Sequence, residues 1–195
     1  MTVPTSPTAN VAVFAPPQPR PAPAQQPCWS IWSAQVIASC TNCPQANIEI
    51  DWPAVYAELA RCDLASPEVQ AGALATIAIE TARTFRPVRE AFWLSEDWRQ
   101  QNLRYYPYYG RGYIQLTWDY NYRNYGEIVN QPLYDQPDLA LVPDIAAAVF
   151  AEFFGRSGAA DAAQDCDWTA CRRHVQGGTA GLPELQSICA CLGYP

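Results

Sequence analysis

Lysine is missing altogether: all 12 basic residues are Arg, against 19 acidic ones. That absence reflects a GC-rich coding genome rather than a chemical requirement. There is one histidine, His174, and no basic run, and the formal net charge is −7. Such a chain is a poor partner for a phosphate backbone, which excludes nucleic acid as a ligand. Arg104, Arg111 and Arg123 do lie among tyrosines, but without the surrounding positive charge that a base-stacking surface needs. Long apolar runs are missing too. No segment can span a bilayer, so no membrane insertion is expected. The start, Met1-Thr2-Val3-Pro4, has neither the basic region nor the apolar core of a secretory signal, so export is expected to be signal-independent. No internal repeat is evident.

What is present suits one domain with an appended arm. Hydrophobic residues make up 49% of the chain, ample for a core. Residues 1–27 differ from the rest: Pro16, Pro17, Pro19, Pro21, Pro23 and Pro27 recur among Ala and Gln. Such a segment favours extended polyproline conformations and cannot build a core. It reads as a tail or linker, or else as an arm that docks on a partner. Residues 28–195 are expected to form the folded domain.

The eight cysteines are Cys28, Cys40, Cys43, Cys62, Cys166, Cys171, Cys189 and Cys191. They cluster towards the two ends, away from the chemistry described below, so none is a good nucleophile. Three readings stay open: structural disulfides, unpaired buried thiols, and zinc. Cys40-x-x-Cys43 resembles half of a zinc knuckle, but Cys189-x-Cys191 is too tight for the other half and only one histidine is available. No metal or other cofactor is therefore expected. Disulfides would suit action outside the reducing cytosol, and their connectivity cannot be read from spacing.

The pattern predicts a mainly helical chain. Expected helices run over Cys28–Ser39, Trp52–Cys62, Pro67–Ile79, Thr117–Tyr125, Asp144–Phe154, Asp167–Val175 and Pro183–Leu192. Asp51 is placed as an N-cap with Pro53 in the first helical turn, and Ser66 caps the Pro67 helix. A loop is expected over Tyr105–Gln115, with a short strand pair within Gly110–Leu116.

The chemistry concentrates between Glu80 and Asn121. Glu80 ends Ala71–Ile79, a nearly uncharged run that reads as a buried helix. A carboxylate there is partly desolvated, which favours the protonated form that a general acid needs. Its purely structural role would be an ion pair with Arg83, Arg86 or Arg111. Pro87 holds Arg86 extended, so the helix has ended and Glu90 can face back towards Glu80. Neighbouring arginines favour an ionised Glu90, as a general base requires. Glu96 and Asp97 compete for that role, but they follow Ser95, which reads as a helix N-cap, and acids suit a first turn. A Tyr-rich run leads into Tyr109, Arg111, Gln115 and Thr117, and Asn121 follows. Aromatic faces stack on sugar rings, and amides and hydroxyls hydrogen-bond sugar hydroxyls, acetamides and water. Two carboxylates with such neighbours point to cleavage of a glycosidic bond.

Four segments carry a family likeness: "IAIETARTF" (77–85), "YYGRGYIQLTWDYNYRNYG" (108–126), "PDLALVPDIAAAVFAEFF" (137–154) and "RRHVQGGTAGL" (172–182). Over about Trp52 to Leu182 the chain resembles the family 19 glycoside hydrolases, the plant-type chitinases and related phage endolysins, with the endolysin branch nearest. The resemblance implies a lysozyme-like α+β fold, mainly α with a small β element. It assigns Glu80 as general acid, Glu90 as general base and Thr117 as a holder of the attacking water. Substrate contacts would come from Tyr109, Arg111, Gln115, Asn121 and Gln176. The chain departs from the family in having Ile79 where His is common before the acid, and Gln176 where Asn is usual in the late motif.

The reaction implied is inverting hydrolysis of a β-1,4 bond, with carboxyls about 6.5–9.5 Å apart. The substrate would be peptidoglycan or, as runner-up, chitin. A wall-degrading or structural virion component docked through the arm is the remaining alternative. The implied location is the host cytoplasm before lysis, or the virion. The acidic charge opposes long-range attraction to anionic walls, which fits delivery by tethering or by release at high concentration.

Overall fold

The computed structural model describes residues 30–195. The Pro-rich arm and Cys28 lie outside the described residues. The elements, in order, are α1 Ala34–Thr41, α2 Gln45–Arg61, α3 Pro67–Glu80, β1 Val88–Arg89, α4 Glu96–Asn102, β2 Arg111–Gly112, α5 Asp119–Ile128, a 3-10 turn Pro137–Leu141, α6 Pro143–Arg156, α7 Ala159–Gln164, α8 Trp168–Gln176 and α9 Leu182–Cys191. The fold is mainly α, with a single two-stranded sheet among the described residues.

Helix α3 is the centre. Ser66 caps it, its hydroxyl accepting from the Val69 amide, and Pro67 occupies the first turn. Every residue from Val69 to Ala78 is buried, so the helix has no solvent face. It packs against α1, α7, α8 and α9. Gly72 permits a close approach of α7 and α8: a Cβ there would lie 3.0 Å from the Ala163 Cβ and 3.4 Å from the Trp168 ring. Each large aliphatic side chain buried in this core, such as Leu74 or Ile77, contributes about 1.5–3 kcal/mol relative to exposure.

The second helix starts earlier than its sequence suggests. Asp51 is not an N-cap but a mid-helix residue, and Pro53 sits in the interior of α2. Ile48, Trp52, Val55 and Leu59 are all fully buried at helical spacing, and this continuous apolar face carries the helix through the proline. Glu49 and Ile50 are exposed, so water can serve the carbonyl that Pro53 leaves without a donor. The first helix is shorter than expected and begins at Ala34, where the Ser33 hydroxyl accepts from the Val36 amide. The Ala-rich α7 and the 3-10 turn have no counterpart in the sequence reading. The β element is also differently paired: Val88 faces Gly112 and Arg89 faces Arg111 in antiparallel register, while the expected local pairing survives only as an Arg111–Leu116 bridge.

One disulfide closes among the described cysteines. Cys40 at the end of α1 joins Cys191 at the end of α9, 151 residues on. Cys43, Cys62, Cys166, Cys171 and Cys189 remain thiols, so among the described cysteines the disulfide reading holds for one pair and the unpaired-thiol reading for these five. Burial is the reason they are quiet: desolvation raises the thiols of Cys43, Cys62 and Cys166, pushes Cys171 up to about 12 and raises Cys189 further.

Candidate active site

A cleft of about 440 Å³ opens where α3 ends. Glu80, Glu90, Gln115 and Thr117 all line it. The chain turns sharply after Glu80. The Thr81 hydroxyl donates to the Ile77 carbonyl and accepts from the Phe85 amide, and the Arg83 amide returns to Ala78. Ala82, Arg83 and Phe85 all take left-handed backbone conformations, with φ of 48°, 65° and 57°. Ala91 and Gln115, which also line the cleft, do so too. Left-handed non-glycine residues each cost roughly 1–2 kcal/mol, and three of them, Ala82, Ala91 and Gln115, line this cleft.

Glu80 faces the cleft with 16% of its side chain exposed, and its Oε1 is ion-paired with Arg172 of α8. Arg172 is buried and braced by a 2.6 Å bond from its Nε to the Ala180 carbonyl. The sequence reading offers Arg83, Arg86 and Arg111 as partners for Glu80, but each is engaged elsewhere. Arg83 pairs with Glu184 and donates to the Thr41 carbonyl, Arg86 lies 3.5 Å from Asp51, and Arg111 pairs with Asp138. Arg172 falls inside the late motif, yet nothing local marks it: its contact with Glu80 spans 92 positions.

Glu90 follows β1 and is held at both oxygens. The Tyr105 hydroxyl donates to Oε1 at 2.7 Å and the Gly110 amide to Oε2 at 3.0 Å. Each oxygen keeps a further lone pair for water. Burial together with the bond to Glu90 pushes the Tyr105 phenol up to about 12, so it remains a donor across the working pH range. The backbone is fixed as well: the Glu90 amide donates to the Gly110 carbonyl, and Arg99 donates from Nε to the Glu90 carbonyl and from a terminal nitrogen to the Ala91 carbonyl. Gly110 keeps this approach close: a Cβ would lie 2.8 Å from the Gln115 Oε1 and 3.4 Å from the Glu90 Cβ, so a larger residue would displace the Gln115 amide.

Gln115 spends its amide N–H groups on the Val88 and Gly112 carbonyls, at 3.0 and 3.1 Å. The Thr117 hydroxyl donates to the Gln115 carbonyl at 2.7 Å. Its proton is thereby committed, and its oxygen is left as an acceptor towards the cleft.

The other expected contacts are not brought into this cleft. Arg111 turns inward: it is 4% exposed, bonded to Asp138, Pro107, Tyr109 and Tyr122, and stacked 3.6 Å from the Tyr109 ring centre. Tyr109 is buried beneath it, with its hydroxyl on Glu96. The Asn121 amide is bonded to the Thr117 carbonyl inside the chain. Gln176 is exposed at the end of α8. Glu96 lies in the first turn of α4, capped by Ser95, and does not line the Glu80 cleft. Sequence reasoning also overlooks Trp93, which is 69% exposed on the rim, braced edge-on by Phe92. Among the described residues no group of His, Cys, Asp and Glu is placed to hold a metal ion, and no helix is long and apolar enough to cross a membrane.

Comparison with known proteins agrees with this architecture. The family model described as chitinase class I, glycoside hydrolase family 19, matches residues 84–167. A stretch of 51 residues is 45% identical to a basic endochitinase of Brassica napus, covering 23% of this chain and 19% of that protein. Another of 40 residues is 50% identical to an endochitinase of Arabidopsis thaliana, covering 20% and 14%. The match thus spans less than a fifth of the length of these curated relatives. Among solved structures, chitinase C from Streptomyces griseus HUT6037 superposes with a TM-score of 0.62 at 20% identity, over 83% of this chain and 92% of that one. A chitinase C mutant gives 0.64 at 18% identity, over 84% and 93%. The fold is the lysozyme-like fold of these chitinases, and the resemblance to family 19 holds.

Proposed function

We propose that this chain, with its family 19 segment on a lysozyme-like scaffold, is a glycoside hydrolase that cleaves the β-1,4 bond of bacterial peptidoglycan by inversion. The observation that carries the hydrolase reading is the pairing of Glu80 and Glu90 in one cleft with unlike surroundings. Glu80 has one oxygen on Arg172, and its other oxygen is left to carry the proton for the leaving group. Glu90 is surrounded by donors and serves as the acceptor for a water proton. Thr117, an acceptor whose own proton is committed, holds that water against Glu90. Each turnover then moves one proton from Glu80 to the leaving oxygen and one from water to Glu90, and water attacks the face opposite the departing sugar.

Chitin is the second reading, favoured by the relatives, which are chitinases and endochitinases. Purified protein run in parallel zymograms decides between them. Clearing of the wall lane supports the first reading; clearing of the chitin lane alone replaces it with the second.

A further inference from the structure

The cleft of Glu80 and Glu90 is not the larger concavity beside β1. A second cavity of about 830 Å³ adjoins it, and Val88, Arg89 and Phe92 line both. The two cavities differ in chemistry. The second adds apolar surface from Leu94 and Leu141, and it carries two charges of each sign: Arg89 and Arg99, Glu96 and Asp138. Three of these charges are reachable, while Arg99 is 5% exposed and bonded to the Glu90 and Ala91 carbonyls. The side chains of Asp138, Glu96 and Arg89 are 60%, 50% and 40% exposed, and the pairs that join them, Arg89 with Asp138 and Arg99 with Glu96, sit at the cavity wall. Burial alone would raise the Asp138 carboxyl, but the guanidiniums of Arg89 and Arg111 outweigh it and hold the group below its ordinary value, so both signs persist at neutral pH.

A glycan of N-acetylated sugars is neutral. Its hydroxyls and acetamides are met by hydrogen bonds and stacking faces, and it has no charges of its own to pair with ionic groups of both signs. A short peptide with small apolar side chains, free carboxylates and an amine matches all three features. Resting on the reading proposed above, we infer that the second cavity receives the peptide substituent of the wall glycan while the glycan itself lies over Glu80 and Glu90. The branch falls at Val88, Arg89 and Phe92, where the cavities meet. The enzyme then recognises its polymer by its side group as well as by its sugar.

The test uses the full chain, soluble peptidoglycan fragments with their peptides, the same fragments stripped by an amidase, and chitin oligomers. Wild-type kcat/KM should be at least about tenfold higher on the peptide-bearing fragments than on the stripped ones. Leu141→Arg and Leu94→Glu should abolish that preference and leave hydrolysis of stripped fragments and chitin oligomers unchanged. The free tetrapeptide Ala-Glu-diaminopimelate-Ala should bind wild type saturably by calorimetry, a measurement independent of whether either variant folds. Equal rates on the two wall substrates, with no tetrapeptide binding, overturn the peptide site and leave the hydrolase reading standing. Cleavage of chitin oligomers but neither wall substrate overturns the peptidoglycan reading, and the peptide site with it.

Discussion

Arg172 holds Glu80 by one oxygen, linking the last residue of α3 to the middle of α8. The guanidinium is itself buried and fixed to the Ala180 carbonyl, so the carboxyl is aimed rather than merely neutralised. On the proposed mechanism the acid must deliver its proton to one particular oxygen and so needs a defined direction, which this pair would supply.

Glu80→Gln keeps the shape and the contact with Arg172 while removing the transferable proton. Hydrolysis should fall by at least about a hundredfold, the low end for general acid catalysis, while the fold persists at a lowered melting temperature, because the buried Arg172 loses its counter-charge. Turnover measured beside thermal melting checks this, and a near wild-type rate removes Glu80 from the mechanism.

The two candidate bases separate cleanly. Glu90→Gln loses the acceptor for water and should disable the enzyme. Glu96→Gln weakens a first-turn interaction worth about 0.3–1 kcal/mol and perturbs the bonds from Tyr109 and Arg99, so it should chiefly lower stability. If steady-state kinetics show Glu96→Gln to be the inactive one, the base has been misassigned.

The cysteines should react in two classes. Non-reducing alkylation followed by mass mapping should find Cys40 and Cys191 protected as a pair. Half-buried Cys62 and Cys166 should be modified before buried Cys171 and Cys189. Reduction should cost on the order of 2–5 kcal/mol, given the length of the closed loop. Rapid alkylation of Cys189 in native protein would contradict its burial.

Asp51 is buried to 1% exposure on α2, and burial raises its carboxyl above the ordinary 3.8, against the opposing pull of Arg86 and the Tyr113 hydroxyl. The unfolded chain therefore ionises first as pH rises. Stability falls from about pH 3.8 through the folded value, and the deficit is complete above it. Asp51→Asn should raise the melting temperature at pH 7 and change it little at pH 3. A lower melting temperature at pH 7 would show that the contact with Arg86 outweighs desolvation.

The Glu80 helix is legible in the sequence because its evidence is local: a Ser-Pro start, eleven residues without charge from Val69 to Ile79, and a carboxylate at the end. The Ser95 cap is legible for the same reason. The partner of Glu80 is not, because several arginines near it in sequence compete and only folding shows each of them engaged elsewhere. Arg111 and Tyr109 mislead in the opposite way. Their place in a Tyr-rich run suggests a sugar-binding face, but a cation stacked on a ring and closed by Asp138 also makes a buried post, and sequence cannot distinguish the two. Asp51 before a proline imitates a helix start, and only the buried face running through Ile48 and Trp52 overrides it.

The Cys40–Cys191 bond lies at the two ends of the described domain, so nearly the whole fold, cleft included, lies inside one covalent ring. A protease that cuts any exposed loop between those residues opens the ring without dividing the molecule. The halves stay joined, the core keeps its α1 and α9 ends together, and a nick invisible on a non-reducing gel appears only when the disulfide is reduced. Wherever proteases reach the folded chain, the ring turns a first cleavage from a loss into a tolerated injury.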